Sequence, residues 1–131
     1  MRIGPSLVAL LSTAVLAAGD RVEHRARVVT ATAYNATVAQ TDSRPTEAAW
    51  GDRLKPGMKV IAVSGDLLDD GLGRGTKVRI DGLPGTWTVM DRMASRHANR
   101  IDLFMGYDVR AARHWGLREV TIRWIDAPTR P

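Results

Sequence analysis

Six short segments concentrate β-branched and apolar residues, and this pattern constrains the fold more than any other feature of the chain. RVVTATAY (27–34) and KVIAVS (59–64) are β-branched and apolar. TKVRID (76–81) and TWTVMD (86–91) alternate, and they flank DGLPG (81–85), whose Gly and Pro mark a turn. NRIDLFM (99–105) and REVTIRWI (118–125) follow. In the last segment Val120, Ile122 and Trp124 share one face while Thr121 and Arg123 take the other, a period of two. Such runs predict a mostly-β domain.

One helix fits the remainder. In YDVRAARHWG, Asp108 is placed to cap the N-terminus. Val109, Ala112 and Trp115 fall at helical spacing, and Gly116 supplies a left-handed stop. Residues 35–58 carry no sustained period and contain two prolines, which reads as a long loop. The chain has 131 residues, 44% of them hydrophobic, enough for one domain with its own core. Cysteine is absent, so disulfides, thiolate nucleophiles and Cys-based metal sites are excluded. A closed barrel suits such a chain because it leaves no strand edge unpaired.

The first twenty residues, MRIGPSLVALLSTAVLAAGD, place Arg2 before an apolar run from Leu7 to Ala18, then small residues at Ala17, Ala18 and Gly19. That is the layout of a secretory signal peptide over 1–19, and the run is shorter than the roughly 20 apolar residues of a membrane span. An uncleaved N-terminal anchor is the alternative. Residues 20–26 read as a linker, 27–126 as the domain, and 127–131 as a tail. The net charge of +5 suits an anionic partner, whether nucleic acid, acidic lipid or wall polymer. An exported domain argues against nucleic acid and places the protein in the periplasm or cell envelope, as a monomer with no membrane span after signal removal.

Several features have ordinary structural readings. Gly71, Gly73 and Gly75 in DDGLGRGT match no nucleotide-binding spacing and read as a turn. His24, His97 and His114 lack metal-ligand spacing, so neither metal nor cofactor is expected. Trp87, Trp115 and Trp124 fall on core-facing positions, whereas Trp50 in the long loop is a candidate for stacking on a sugar. Asp91 and Asp102 stand out. By strict alternation Asp91 shares a strand face with Trp87 and Val89, and Asp102 shares one with Phe104. Carboxyls beside apolar side chains lose solvation, and two close together oppose each other's ionisation. Both effects keep one protonated near neutral pH, as a general acid requires. The competing reading is an ion pair with Arg92 or Arg100, their sequence neighbours.

ATAY (31–34), PTEAAWG (45–51), VIAVS, GLGRGTKVRIDGL (71–83), the Asp91-Arg92 pair, NRIDLFM and HWGLREVTI (114–122) occur in one order along residues 29–125. Together they resemble the three-aspartate (3D) domain of bacterial cell-wall enzymes, whose relatives include the A-type lytic transglycosylases. The resemblance implies a six-stranded double-psi β-barrel with one short helix and a long loop in its N-terminal half. It also implies cleavage of the MurNAc–GlcNAc β-1,4 bond of peptidoglycan with formation of 1,6-anhydromuramyl ends. In that chemistry the muramyl 6-hydroxyl is the nucleophile, so one carboxyl suffices as acid and then base. Ordinary glycosidases need two. The resemblance assigns that role to Asp102, with Asp91 in support. It brings Tyr34, Trp50, Ser64, Asp66, Arg92, Asn99 and Arg100 to the substrate groove.

Three departures bear on the implied function. Ser64 in AVSG stands where the family commonly has its first aspartate, with Asp66 two residues on. Arg92-Met93-Ala94 replaces a Thr-Gly-Gly, and Ala48 replaces a threonine in the loop. These favour a second expectation from a different class: a non-catalytic barrel that binds peptidoglycan or another polysaccharide, or serves as a structural module. A carboxylate-pair protease is a third class, but its Asp-Thr/Ser-Gly signature is absent at both Asp91 and Asp102.

Overall fold

A computed structural model describes residues 23–36 and 48–126. The strands are β1 (Glu23–Tyr34), β2 (Val60–Val63), β3 (Lys77–Ile80), β4 (Trp87–Arg92), β5 (Arg100–Phe104) and β6 (Arg118–Asp126). Two helices join them, α1 (Gly65–Asp69) after β2 and α2 (Val109–Trp115) after β5. The six strands close into a barrel in the order β1-β5-β2-β4-β3-β6. The mostly-β class and the strand count expected from periodicity both hold.

The topology interleaves two parallel pairs, β1 with β5 and β2 with β4, through the antiparallel pairing of β2 with β5. Parallel neighbours need crossovers, so β2 is flanked by strands that come much later in the chain. β3 then pairs antiparallel with both β4 and β6. This interleaving brings the middle of β1, β2, β4 and β5 side by side, and the candidate carboxylates lie there.

Alternation fills the barrel interior. Val29 and Ala31, Ile61 and Val63, Val78 and Ile80, Trp87 and Val89, Ile101 and Leu103, and Ile122 and Trp124 point into one core. Each fully buried Val, Leu or Ile contributes about 1.5–3 kcal/mol relative to exposure. Leu67 of α1, Leu72 and Trp115 of α2 join that core, and Trp115 Nε1 donates to the Ala31 carbonyl at 3.1 Å. Asp108 caps α2 by accepting from Ala111 N–H at 2.9 Å, and Gly116 ends the helix at φ +66°. The three tryptophans assigned to the core are therefore there.

A second apolar cluster lies outside the barrel wall. Tyr34, Ala36, Val60, Ala62 and Phe104 pack with Ala48 and Leu54 of the segment before β2. Tyr34 and Phe104 face each other across the β1–β5 pair, their ring centroids 5.4 Å apart and tilted by 55°.

Three expectations are corrected. The single helix becomes two: α1 lies between β2 and the glycine turn of 70–76, which is found as expected. At five residues it is too short to show a helical period. Ser64 precedes it, and the Ser64 carbonyl accepts from Leu67 and Leu68 N–H, but its hydroxyl makes no cap. The second correction concerns the face of Asp91, described below. β1 also starts at Glu23, ahead of the strand start expected at residue 27.

The barrel body spans Ala26–Trp124, and the outer ends of β1 and β6 belong to a separate unit. Within that unit Arg25 Nη1 donates to Asp126 Oδ2 at 2.9 Å. The expected signal peptide, residues 37–47 of the long loop, and the tail lie outside the described residues. Among the described residues, no helix is long and apolar enough to cross a membrane.

Candidate functional site

Strand register builds the site. Asp102 of β5 lies opposite Thr32 of β1 on one side and Ala62 of β2 on the other. Ala62 in turn lies opposite Asp91 of β4. Thr32, Asp102, Ala62 and Asp91 thus form one row across four strands. Two strand spacings, about 10 Å, separate the Cα atoms of the two aspartates. Ile101 and Leu103 point inward, so Asp102 points outward beside the second apolar cluster.

The face of Asp91 differs from the alternation expected of TWTVMD. Trp87 and Val89 point into the core, and strict alternation would send Asp91 after them. The β2–β4 register instead shifts between Ile61 and Ala62, so that Ile61 faces Val89 but Ala62 faces Asp91. An extra residue in one strand re-aims the side chains beyond it. That shift brings Asp91 to the Tyr34 phenol, and only a small residue, Ala62, stands between the two carboxylates.

The two aspartates have different surroundings. Asp91 accepts three hydrogen bonds: from Tyr34 Oη at 3.2 Å, Ala49 N–H at 2.7 Å and Arg92 N–H at 2.9 Å. Asp102 accepts from Thr32 Oγ1 at 3.0 Å on Oδ1, and among the described residues no donor meets its Oδ2. Burial pushes the Asp102 carboxyl up to about 6. The Thr32 hydrogen bond and the Arg100 charge oppose the rise, and the Asp91 charge adds to it. Tyr34 is pushed above the ordinary tyrosine range by burial, then by the charges of Asp91 and Asp102. Its phenol therefore stays protonated and donates. A carboxyl that titrates near pH 6 can give or take a proton near neutrality. Asp102 is that group. Neither aspartate forms an ion pair with Arg92 or Arg100 among the described residues, although the Arg100 charge acts on Asp102.

The other candidates fall into two places. Trp50 follows Ala49 in the turn held by Asp91 and is 37% exposed. Ser64, Asp66, Asn99 and Arg100 meet where β2 ends and β5 begins. Ser64 is fully buried, and its Oγ accepts from Arg100 N–H at 3.0 Å. Its hydroxyl helps hold the Asp66 carboxyl below the usual range against the opposing effect of burial. Asp66 also accepts from Asn99 N–H at 2.9 Å and lies 3.6 Å from Arg27 Nη2. Asn99 adopts φ +51°, a left-handed conformation that asparagine tolerates. Its side chain takes Arg27 Nε at 2.8 Å and donates to the Val28 carbonyl at 3.1 Å. The polar atoms of Ser64 and Asn99 are thus spent on neighbouring chain segments, while Arg92 is exposed beside Asp91.

Sequence reasoning missed Thr32, Ala49 and Ala62. The first was within reach, because Thr32 and Tyr34 share one face of the alternating ATAY segment. Ala49 acts through its backbone, and Ala62 matters only for being small.

Neither the protein-family models nor the curated proteins match this chain. Among solved structures, the crystal structure of an apo expansin from Clavibacter michiganensis matches with a TM-score of 0.52 and 19% identity. The match covers 82% of this chain and 54% of that one, so the chain spans about half the length of the expansin structure. The fold defines the class: a closed six-stranded barrel of the double-psi type, shared with that expansin.

Proposed function

We propose that this chain is an exported barrel that binds cell-wall polysaccharide along its outer face without cutting it. The observation that carries this reading is the unequal state of the two carboxyls. Asp91 is held by three donors and fixes the 48–51 turn, so it is occupied as a structural anchor. Hydrolysis of a glycosidic bond ordinarily needs two available carboxyls, and here one is left, which argues against an ordinary glycosidase. Thr32 and Asp102 offer hydrogen-bonding groups to sugar hydroxyls, and Trp50 offers an exposed aromatic face. The expansin likeness in fold supports the same reading, as do the segments that resemble a wall-enzyme domain. The binding partner is peptidoglycan glycan, met by a monomer in the periplasm or cell envelope. The test is an NMR titration with soluble glycan fragments. Amide shifts should centre on Thr32, Ala62 and Asp102; shifts confined to other faces would sink the proposal.

One observation favours a second reading, lytic transglycosylation: the Asp102 carboxyl titrates near 6. In that reaction Asp102 gives its proton to the glycosidic oxygen as the bond to the muramyl anomeric carbon breaks. The 6-hydroxyl oxygen then bonds to that carbon, and its proton returns to Asp102. Asp91 and Tyr34 fix the surroundings. Mass spectrometry of digested sacculi decides it, since 1,6-anhydromuramyl products lost in Asp102→Asn would establish this reading over the first.

A further inference from the structure

An open groove of about 720 Å³ lies between the start of α1 and the 92–98 loop, lined by Asp66, Arg92, Met93, Ser95 and His97 among others. We infer that this groove is a subsite for the carboxylate groups of an acidic polysaccharide, recognised by Arg92 and His97 with Arg96 and Arg100 behind them. The inference deepens the glycan-binding reading and rests on it, since it names the charge class of the ligand.

Basic residues converge here: Arg92, Arg96 and Arg100 outnumber Asp66, the carboxylate on the groove wall. Arg92, Arg96 and Arg100 form no ion pair among the described residues. The one carboxylate on the groove wall, Asp66, is already satisfied by Asn99 N–H, with Arg27 beside it. The local field at the opening is therefore positive, and it draws an anion. Arg92 directly follows Asp91, so the groove begins one residue along β4 from the Thr32–Asp91 row.

His97 supplies direction rather than charge. Arg100 Nη1 lies 3.4 Å from His97 Nδ1. A guanidinium has only donors, so Nδ1 must be the acceptor and the imidazole proton sits on Nε2. Lost solvation, then the charges of Arg96 and Arg100, hold the imidazole below its usual pKa, which agrees with a neutral ring. The Nε2–H is then left to donate to a ligand oxygen. Met93 and Ala94 give the groove an apolar side against which a sugar face or methyl group can lie.

The test reads the His97 ring protons by NMR at pH 7.5 while trigalacturonate, triacetylchitotriose or acetate is added. Trigalacturonate alone should shift them, and Arg92→Gln/Arg96→Gln should weaken that binding roughly tenfold, as a few exposed charge contacts allow. Both arginines are exposed, so the double variant keeps the fold. Equal shifts with the neutral trisaccharide, equal shifts with acetate, or none with trigalacturonate would overturn the subsite. Sedimentation with sacculi, run in parallel, judges the glycan reading separately. Bound protein with an unresponsive His97 removes only the subsite. A responsive His97 with unbound protein removes only the wall partner.

Discussion

The Tyr34 phenol donates to Asp91 Oδ2 at 3.2 Å across strands that are not neighbours in the barrel, bridging β1 to β4 over the Ala62 position of β2. This contact divides the labour between the two aspartates. Asp91, held also by two backbone N–H groups, ties the 48–51 turn to the wall. Asp102, with Thr32 as its donor, keeps the capacity to change charge near neutrality.

Tyr34→Phe keeps the ring against Phe104 and removes only the hydroxyl. The loss of one buried hydrogen bond to a charged acceptor should cost about 1.5–3 kcal/mol. Tyr34→Ala also empties part of the outer cluster and should cost about 3–5 kcal/mol, the range for deleting a buried aromatic. Urea unfolding of the two variants checks the order; equal costs would show that the ring contributes nothing, and a Tyr34→Phe variant as stable as wild type would show the same of the hydroxyl.

Asp102 makes stability depend on pH in a defined direction. Its folded carboxyl titrates near 6 against an ordinary value of 3.8, so burial favours the protonated form. The folded state is therefore best off below about pH 4 as far as this group is concerned, and it loses stability as pH rises through 6. The shift corresponds to about 3 kcal/mol. Asp102→Asn, neutral at every pH and still able to accept from Thr32, should match the wild type near pH 4 and exceed its melting temperature at pH 8. Thermal melts across pH 4–8 check this, and a variant less stable than wild type at pH 8 would contradict the burial account.

The barrel's inner face was legible because alternation survives in a closed wall. Ile101 and Leu103, or Ile122 and Trp124, could be assigned to the core from their spacing alone. The end of α2 was legible because Asp108 and Gly116 carry specific backbone chemistry. The face of Asp91 was not. It depends on a register shift against β2, a strand pairing that local spacing cannot encode. Nor was the state of Ser64. It occupies a position the wall-enzyme pattern gives to an aspartate, yet its hydroxyl joins the backbone of Arg100 to the carboxyl of Asp66. Pattern located both residues, and only tertiary pairing assigned their work.

Asp91→Ala should free the turn it anchors. The Ala49 amide loses its acceptor, and its hydrogen exchange should quicken by about tenfold, the equivalent of one hydrogen bond of about 1.4 kcal/mol. Core amides such as Val89 should hold their protection in conditions where local opening dominates. Unchanged exchange at Ala49 would mean that the turn is held by other contacts.

Asn99 offers a backbone test at the same corner as Ser64. Asn99→Gly loses the side-chain bonds to Arg27 and Val28 but accepts φ +51° freely, whereas Asn99→Ala loses the bonds and also pays for the left-handed conformation. Alanine should therefore be about 1 kcal/mol worse than glycine. Denaturant midpoints of the two variants check the difference, and an alanine variant equal to glycine would remove backbone conformation from the explanation.

The most direct measurement of the central claim is co-sedimentation of the protein with purified sacculi, followed by mass spectrometry of the soluble fraction. Wild type should pellet with the wall and release no muropeptides, and Asp102→Lys, which places a long cation in the row, should stay in solution. Wild-type protein left in the supernatant, or soluble 1,6-anhydromuramyl products released by it, would contradict a barrel that binds wall polysaccharide at Asp102 without cutting it.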